Sequence, residues 1–197
     1  MLLAVLLRTL EPLAGGRVPE APRHELAVAS IVNLRRDFGA DPNATFGQFL
    51  SSFRISHALP PGIALERIAR DVHAETARIK ERKLYLQSLL GVALSGAVWR
   101  FLSPEQRAGF YAKNYPTWGA ITLVNVDPLW ENAGGRLPPP EYLRAVSTGP
   151  LAPMVVAVTV AAGTLHAGIS YHHAAFDAPG IGKLADALVA NCTRLDS

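Results

Sequence analysis

Ser170-Tyr-His-His-Ala-Ala-Phe-Asp177-Ala-Pro-Gly180 is the stretch on which the reading of this chain turns. Apolar residues alternate toward the two histidines, and a Pro-Gly pair opens a helical pattern after them. Strand, tight connection and helix follow one another directly. An imidazole at a strand end is base-competent near neutral pH. A carboxylate four residues after the second histidine can orient an imidazole, cap the coming helix, or do both. Period two places His173 with Leu165, Ala167, Ile169 and Tyr171 on one face of the strand. His166, Gly168, Ser170 and His172 take the other. The candidate catalytic residues are therefore His173 first, with Asp177 and His172 beside it. A metal site built from two histidines and a carboxylate needs both imidazoles on one side, which strand alternation opposes, so no metal is expected. Ser170 lacks the strained elbow that exposes a nucleophilic serine.

Working outward, Met154–Val160 and Leu165–His173 read as a hairpin around Ala161-Ala162-Gly163-Thr164. The last helix is expected from about Pro179 to Leu195, with Ile181, Leu184, Leu188, Cys192 and Leu195 as its apolar stripe. Cys192 is thus a core residue in preference to a nucleophile. Upstream, Ala120–Val126 reads as a strand. Asp127–Thr148 reads as a long irregular connection, rich in Gly and Pro, of the kind that serves a function or latches onto a neighbour. Gly15-Gly16 and Gly134-Gly135 are turns and make no phosphate loop.

The first half begins with a short helix whose face carries Leu2, Val5, Leu6 and Leu10, ending near Pro12 and Gly15-Gly16. Glu25–Leu34 reads as a largely buried strand and Phe46–Ile55 as a second extended segment. A long helical pattern opens after Pro60-Pro61-Gly62, with Leu65, Ile68, Val72, Ile79, Leu86 and Leu90 at helical steps. Leu84–Leu102 is almost wholly apolar. It reads as a buried or groove-lining helix in preference to a membrane span, because Gln87, Ser88, Ser95 and Arg100 interrupt it. Ser103-Pro104 marks a new helix start.

Composition bounds the function. Hydrophobic residues are 49% and charged residues 18% of the 197-residue chain, which suits one domain, residues 1–197, with a sizeable core. A formal charge of +3, without a basic run interleaved with aromatics, gives no footprint for nucleic acid. The single cysteine rules out an intrachain disulfide and fits a reducing, cytoplasmic location. Arg8 cuts short the apolar start, so no signal peptide is expected.

The motif His172-His-Ala-Ala-Phe-Asp177-Ala178 resembles the HHxxxDG motif of the chloramphenicol acetyltransferase-like superfamily, with Ala178 where glycine is usual. That group includes peptide-synthetase condensation domains and wax ester synthase/diacylglycerol acyltransferases. The order of elements resembles the C-terminal lobe of a two-lobed member across nearly the whole chain. The resemblance implies an α/β fold: a mixed sheet with one long helix and a C-terminal helix packed against it. It implies an acyltransferase in which His173 is general base toward a hydroxyl or amine attacking a thioester. Asp177 would then be a structural carboxylate paired with an arginine, for which Arg35 and Arg36 are candidates. The co-substrate implied is acyl-CoA or an acyl-phosphopantetheine carrier, with no permanently bound cofactor. The expected partner is a missing N-terminal lobe or further copies in a homo-oligomer, a trimer, with membrane association not favoured. The alternative is a non-catalytic C-terminal lobe that completes the tunnel of a two-lobed enzyme.

Overall fold

A computed structural model describes residues 1–14, 25–39, 47, 49–107, 110, 117–132, 142–149 and 152–194. The elements that lie wholly within them are, in order, α1 Leu2–Ala14, β1 Leu26–Asn33, β2 Leu50–His57, α2 Leu65–Glu81, α3 Tyr85–Trp99, β3 Gly119–Asn125, α4 Asp127–Asn132, β4 Met154–Ala161, β5 Thr164–Tyr171 and α5 Ala178–Thr193. The strands form one mixed sheet in the order β2-β1-β3-β4-β5. The two outer pairs are antiparallel and the two inner pairs parallel. This is the α/β architecture expected of the sequence, with helices and a mixed sheet sharing one core.

The core is built around α1. Ala4, Val5, Leu6, Leu7 and Leu10 are fully buried, so the helix is apolar on more than the single face its spacing suggests. It packs against α2, α5, β1 and β3. Its register against α5 is marked by a buried hydrogen bond, Asn191 Nδ2 donating to Thr9 Oγ1 at 3.1 Å. Val28, Phe53, Ile55, Ile121, Met154, Val156 and Val158 line the sheet's helical face. Ser51, Phe53 and Ile55 point inward as alternation requires, on a strand described from Leu50. Residues 41–46 and Leu195 lie outside the described residues.

On the opposite face, residues 142–149 cross the sheet as an extended strap. Arg144 donates to the carbonyls of Val158 and Thr122 and to Thr159 Oγ1. Gly168 makes this possible, because a Cβ there would stand 2.4 Å from the Arg144 carbonyl oxygen. The long connection is thus not wholly irregular: it opens with α4. There Asp127 accepts the Ala162 N–H at 2.7 Å, tying the connection to the β4–β5 turn.

The long helical pattern divides at Arg82–Leu84. Lys83 takes φ +50°, and the Leu84 and Lys83 amides donate back to the Ile79 and Lys80 carbonyls. This is a Schellman ending with lysine in the left-handed position that glycine usually fills. Its ammonium reaches Asp37 at 2.9 Å, and the Tyr85 hydroxyl donates to the same carboxylate at 3.0 Å. The Lys83 bond holds the Asp37 carboxyl below the usual aspartate range, with Tyr85 adding to it and desolvation opposing it. A depressed carboxyl stabilises the fold above its unfolded pKa, about 3.9, and loses that contribution as pH falls through its folded value. Asp37→Asn is therefore expected to be less stable than the parent at pH 6. Urea melts of the two proteins should converge as the pH drops below that range.

The reading of Leu84–Leu102 as buried is corrected. Within α3 only Tyr85 and Ser95 are buried; Leu86 packs half-buried against the core, and Leu89, Leu90, Val92, Leu94 and Val98 are exposed. The inward stripe is small or polar: Ser88 Oγ donates to the Ser52 carbonyl, and Ser51 Oγ to the Tyr85 carbonyl, both at 2.7 Å. These bonds seat α3 against β2 without needing its leucines. Beyond it, Ser103 and Gln106 cap each other reciprocally and residues 104–107 are helical, as the Ser-Pro signal indicates.

Candidate functional site

The β4–β5 pairing ends at Met154 opposite Tyr171, two residues before the expected strand end. One further rung follows, His172 N–H donating to the Pro153 carbonyl at 2.9 Å. The chain then turns. The amides of Ala175 and Phe176 both donate to the His172 carbonyl, at 2.9 and 3.0 Å. Phe176 is buried in the core and anchors the turn from below. Asp177 has extended backbone, φ −92° and ψ 162°, and its Oδ1 accepts the Gly180 N–H at 2.8 Å. It is the N-cap of α5, with Pro179 inside the first turn where the missing amide costs nothing.

His173 sits within that turn, exposed, its ring edge-on to Tyr171 at 5.3 Å between centroids. Strand alternation thus assigns it to the side of Tyr171 even though regular pairing has already stopped. It lines a cleft of ≈ 260 Å³ with Trp118, Ala174, Ala175, Phe176, Asp177 and Gly180. The cleft lies where the start of β3, the end of β5 and the start of α5 meet. His172 is exposed and does not line it. The structure therefore brings together His173 and Asp177 and leaves His172 outside.

Trp118 is the residue that sequence reasoning missed. Its amide donates to the Ala27 carbonyl at 2.9 Å, which fixes the indole at the mouth of β3. The available signal was an aromatic directly between a Pro-bearing break and a buried strand. That signal does not say which distant strand lies beside it.

The proposed arginine pairing is not what holds Asp177. Arg35 donates to the Gly47 carbonyl at 3.1 Å and covers the Phe49 ring at 4.7 Å, and no ion pair joins Asp177 to Arg35 or Arg36 among the described residues. The carboxylate does its work on the α5 amide instead. Among the described residues no group of three His, Cys, Asp or Glu side chains is placed to hold a metal ion. Cys192 is half-buried on α5, packed against the core.

No family model and no curated protein matches the chain. Solved structures do. The epimerization domain from the third module of tyrocidine synthetase B is similar with a TM-score of 0.57 and 14% identity, over 96% of this chain and 40% of that one. A condensation domain that mediates chain release from the enacyloxin polyketide synthase gives 0.55 and 14%, over 98% of this chain and 35% of that one. The fold is similar to that of part of a condensation or epimerization domain. The mixed α/β fold expected from the resemblance is thus shared with these condensation and epimerization domains. The chain spans well under half the length of either similar structure.

The cap itself is testable. Asp177→Ala should cost about 1 kcal/mol, a fall in melting temperature of about 2–4 °C at this chain length. Asp177→Asn should be nearly neutral, since asparagine caps as well as aspartate. Thermal melts of both variants decide whether the side chain matters as a cap or as a charge.

Proposed function

We propose that this condensation-type lobe takes part in acyl transfer from a thioester to a hydroxyl or amine, with His173 as the general base. The observation that carries the reading is the position of His173: exposed at the lip of a cleft, at the turn between sheet and α5, its ring steadied by Tyr171. A neutral imidazole there takes the proton of the acceptor O–H or N–H as the oxygen or nitrogen attacks the thioester carbonyl. The tetrahedral intermediate collapses by breaking the C–S bond. The departing thiolate takes the proton back from the imidazolium, leaving an ester or amide and a free thiol.

The carbonyl oxygen gains negative charge during attack and needs a hydrogen-bond donor. Of the side chains lining the cleft, Trp118 alone besides His173 has an N–H to offer. The donor chemistry we favour is acyl-CoA or an acyl-phosphopantetheine carrier. A second lobe or further copies of this chain, as in a trimer, would close the open side of the cleft. The experiment is a thiol-release assay with short acyl thioesters and small alcohol or amine acceptors, comparing the parent with His173→Ala.

One observation favours a second reading. Asp177 caps α5, and among the described residues no carboxylate is bonded to the His173 imidazole. On that reading the lobe supplies cleft wall and acceptor selectivity, and the base lies on an apposed lobe. The same assay separates the two, because on the second reading the chain without an apposed lobe releases no thiol, and His173→Ala leaves turnover intact once that lobe is supplied.

A further inference from the structure

An ordinary surface helix turns its polar residues outward and its leucines in. In this chain α3 is built the other way round. Tyr85, Ser88, Gly91, Ser95 and Trp99 recur at three- and four-residue steps and face the protein. Leu89, Leu90, Val92, Leu94 and Val98 face outward, joined by Phe101 just beyond the helix. Leu90 and Leu94 are 67% and 68% exposed and Phe101 88%. An apolar face of this kind marks a surface that meets something other than water.

The charges indicate what it meets. No charged residue occurs from Leu84 to Trp99. Residues 78–107 around it hold six Lys and Arg against two Glu, a net of +4, where the whole chain carries +3. Arg78 and Lys83 are paired with Glu75 and Asp37 outside that stretch, so the excess at the two ends of the apolar helix rests on Lys80, Arg82, Arg100 and Arg107. Lys80 and Arg82 stand exposed at one end and Arg100 at the other. Gln87 is the only exposed polar side chain on α3, so the face offers no directional group that would fix the register of a protein partner. A bilayer surface asks for none.

We infer that α3 lies in the surface of an anionic phospholipid membrane, its leucine face among the acyl chains and its basic ends at the headgroups. This is the physics of an interfacial helix: apolar area supplies depth, and flanking cations supply attraction to anionic lipid. The helix does not span. Among the described residues no helix is long and apolar enough to cross a membrane. At 15 residues, α3 is about 22 Å long against a hydrocarbon core of about 30 Å. It lies beside β2, the sheet edge opposite β5, so membrane docking would leave the His173 cleft clear. The inference does not depend on the acyl-transfer reading.

The test is co-sedimentation of the full chain with large unilamellar vesicles of phosphatidylcholine containing about 30 mol % phosphatidylserine. Binding is expected, at least about tenfold weaker to phosphatidylcholine alone and weakened by salt between about 0.05 and 0.5 M. Lys80→Gln with Arg100→Gln should weaken it by about fivefold for each charge removed. Leu90→Gln with Leu94→Gln should weaken it by about tenfold or more, with unchanged circular dichroism showing that the fold survives. Failure of the parent to bind at about 1 mM anionic lipid overturns the inference. So does binding that ignores both pairs of substitutions. A parent dimer that ignores vesicles and becomes monomeric in the leucine variant, by light scattering, would also overturn it and assign the face to a second copy.

Discussion

His173→Ala is expected to lower acyl transfer by about 10²- to 10⁴-fold, the contribution of a positioned general base, equivalent to about 3–5 kcal/mol of transition-state stabilisation. The loss should fall on kcat, because the imidazole acts on the acceptor proton and the rest of the cleft wall is untouched. Phe176 stays buried and the His172 carbonyl still receives the Ala175 and Phe176 amides, so the turn keeps its shape. His172→Ala is the matched control. Its side chain is exposed outside the cleft, and most of the activity should remain. Equal and large losses in both variants would point to damage to the turn. A His173→Ala protein that transfers acyl groups at the parental rate, in an assay where the parent is active, removes the base from this lobe. The second reading then stands. Measurement requires only the thiol released from the thioester and separate determination of kcat and KM.

Leu6→Ala should be among the most destabilising substitutions in the chain, costing about 2–5 kcal/mol. Leu6 is fully buried between the sheet and the other helices, on an element whose neighbours Val5, Leu7 and Leu10 are also fully buried. Truncation removes three carbons from a site that cannot close over the gap, since α1 is held by α2, α5, β1 and β3 together. Domains are stable by only about 5–15 kcal/mol, so the variant should melt about 10 °C lower or fail to accumulate folded. Leu90→Gln makes the contrast. It replaces an equally apolar side chain of a helix of similar length, yet its expected effect is within about 0.5 kcal/mol because Leu90 is largely exposed. Urea denaturation of the two variants beside the parent measures both. A large loss at Leu90 would show that α3 is covered by another part of the protein.

The contrast between Leu6 and Leu90 also shows where sequence reading stopped. Both residues sit in apolar, helix-period segments, and hydropathy ranks the second segment as the better candidate for burial. Burial was decided by what lies next to each helix. The Ser51 and Ser88 hydroxyls, donating to the Tyr85 and Ser52 carbonyls, fix α3 with its small-residue side inward. The cap at Lys83 then separates α3 from α2, although lysine in a left-handed position carries no recognisable stop signal. At the site, the side shared by His173 and Tyr171, and the capping role open to Asp177, were legible from period two and from Ala178-Pro179. Trp118 was not.

What the sequence determined by itself was local: the strands, the starts of α1, α2 and α5, the cap before α5, the turn at 162–163 and the separation of His173 from His172. Each follows from steric and hydrogen-bonding preferences within a few residues, which the chain carries wherever it goes. The tertiary structure alone decided which apolar helix became the core, that Trp118 and His173 line one cleft, that Gly168 admits the strap, and that Leu89, Leu90 and Leu94 of α3 face out. The first two depend on the inner pairs of β1, β3 and β4, whose parallel registers join segments far apart in sequence. A parallel pairing is set by the summed burial of both faces and leaves no short pattern in either strand.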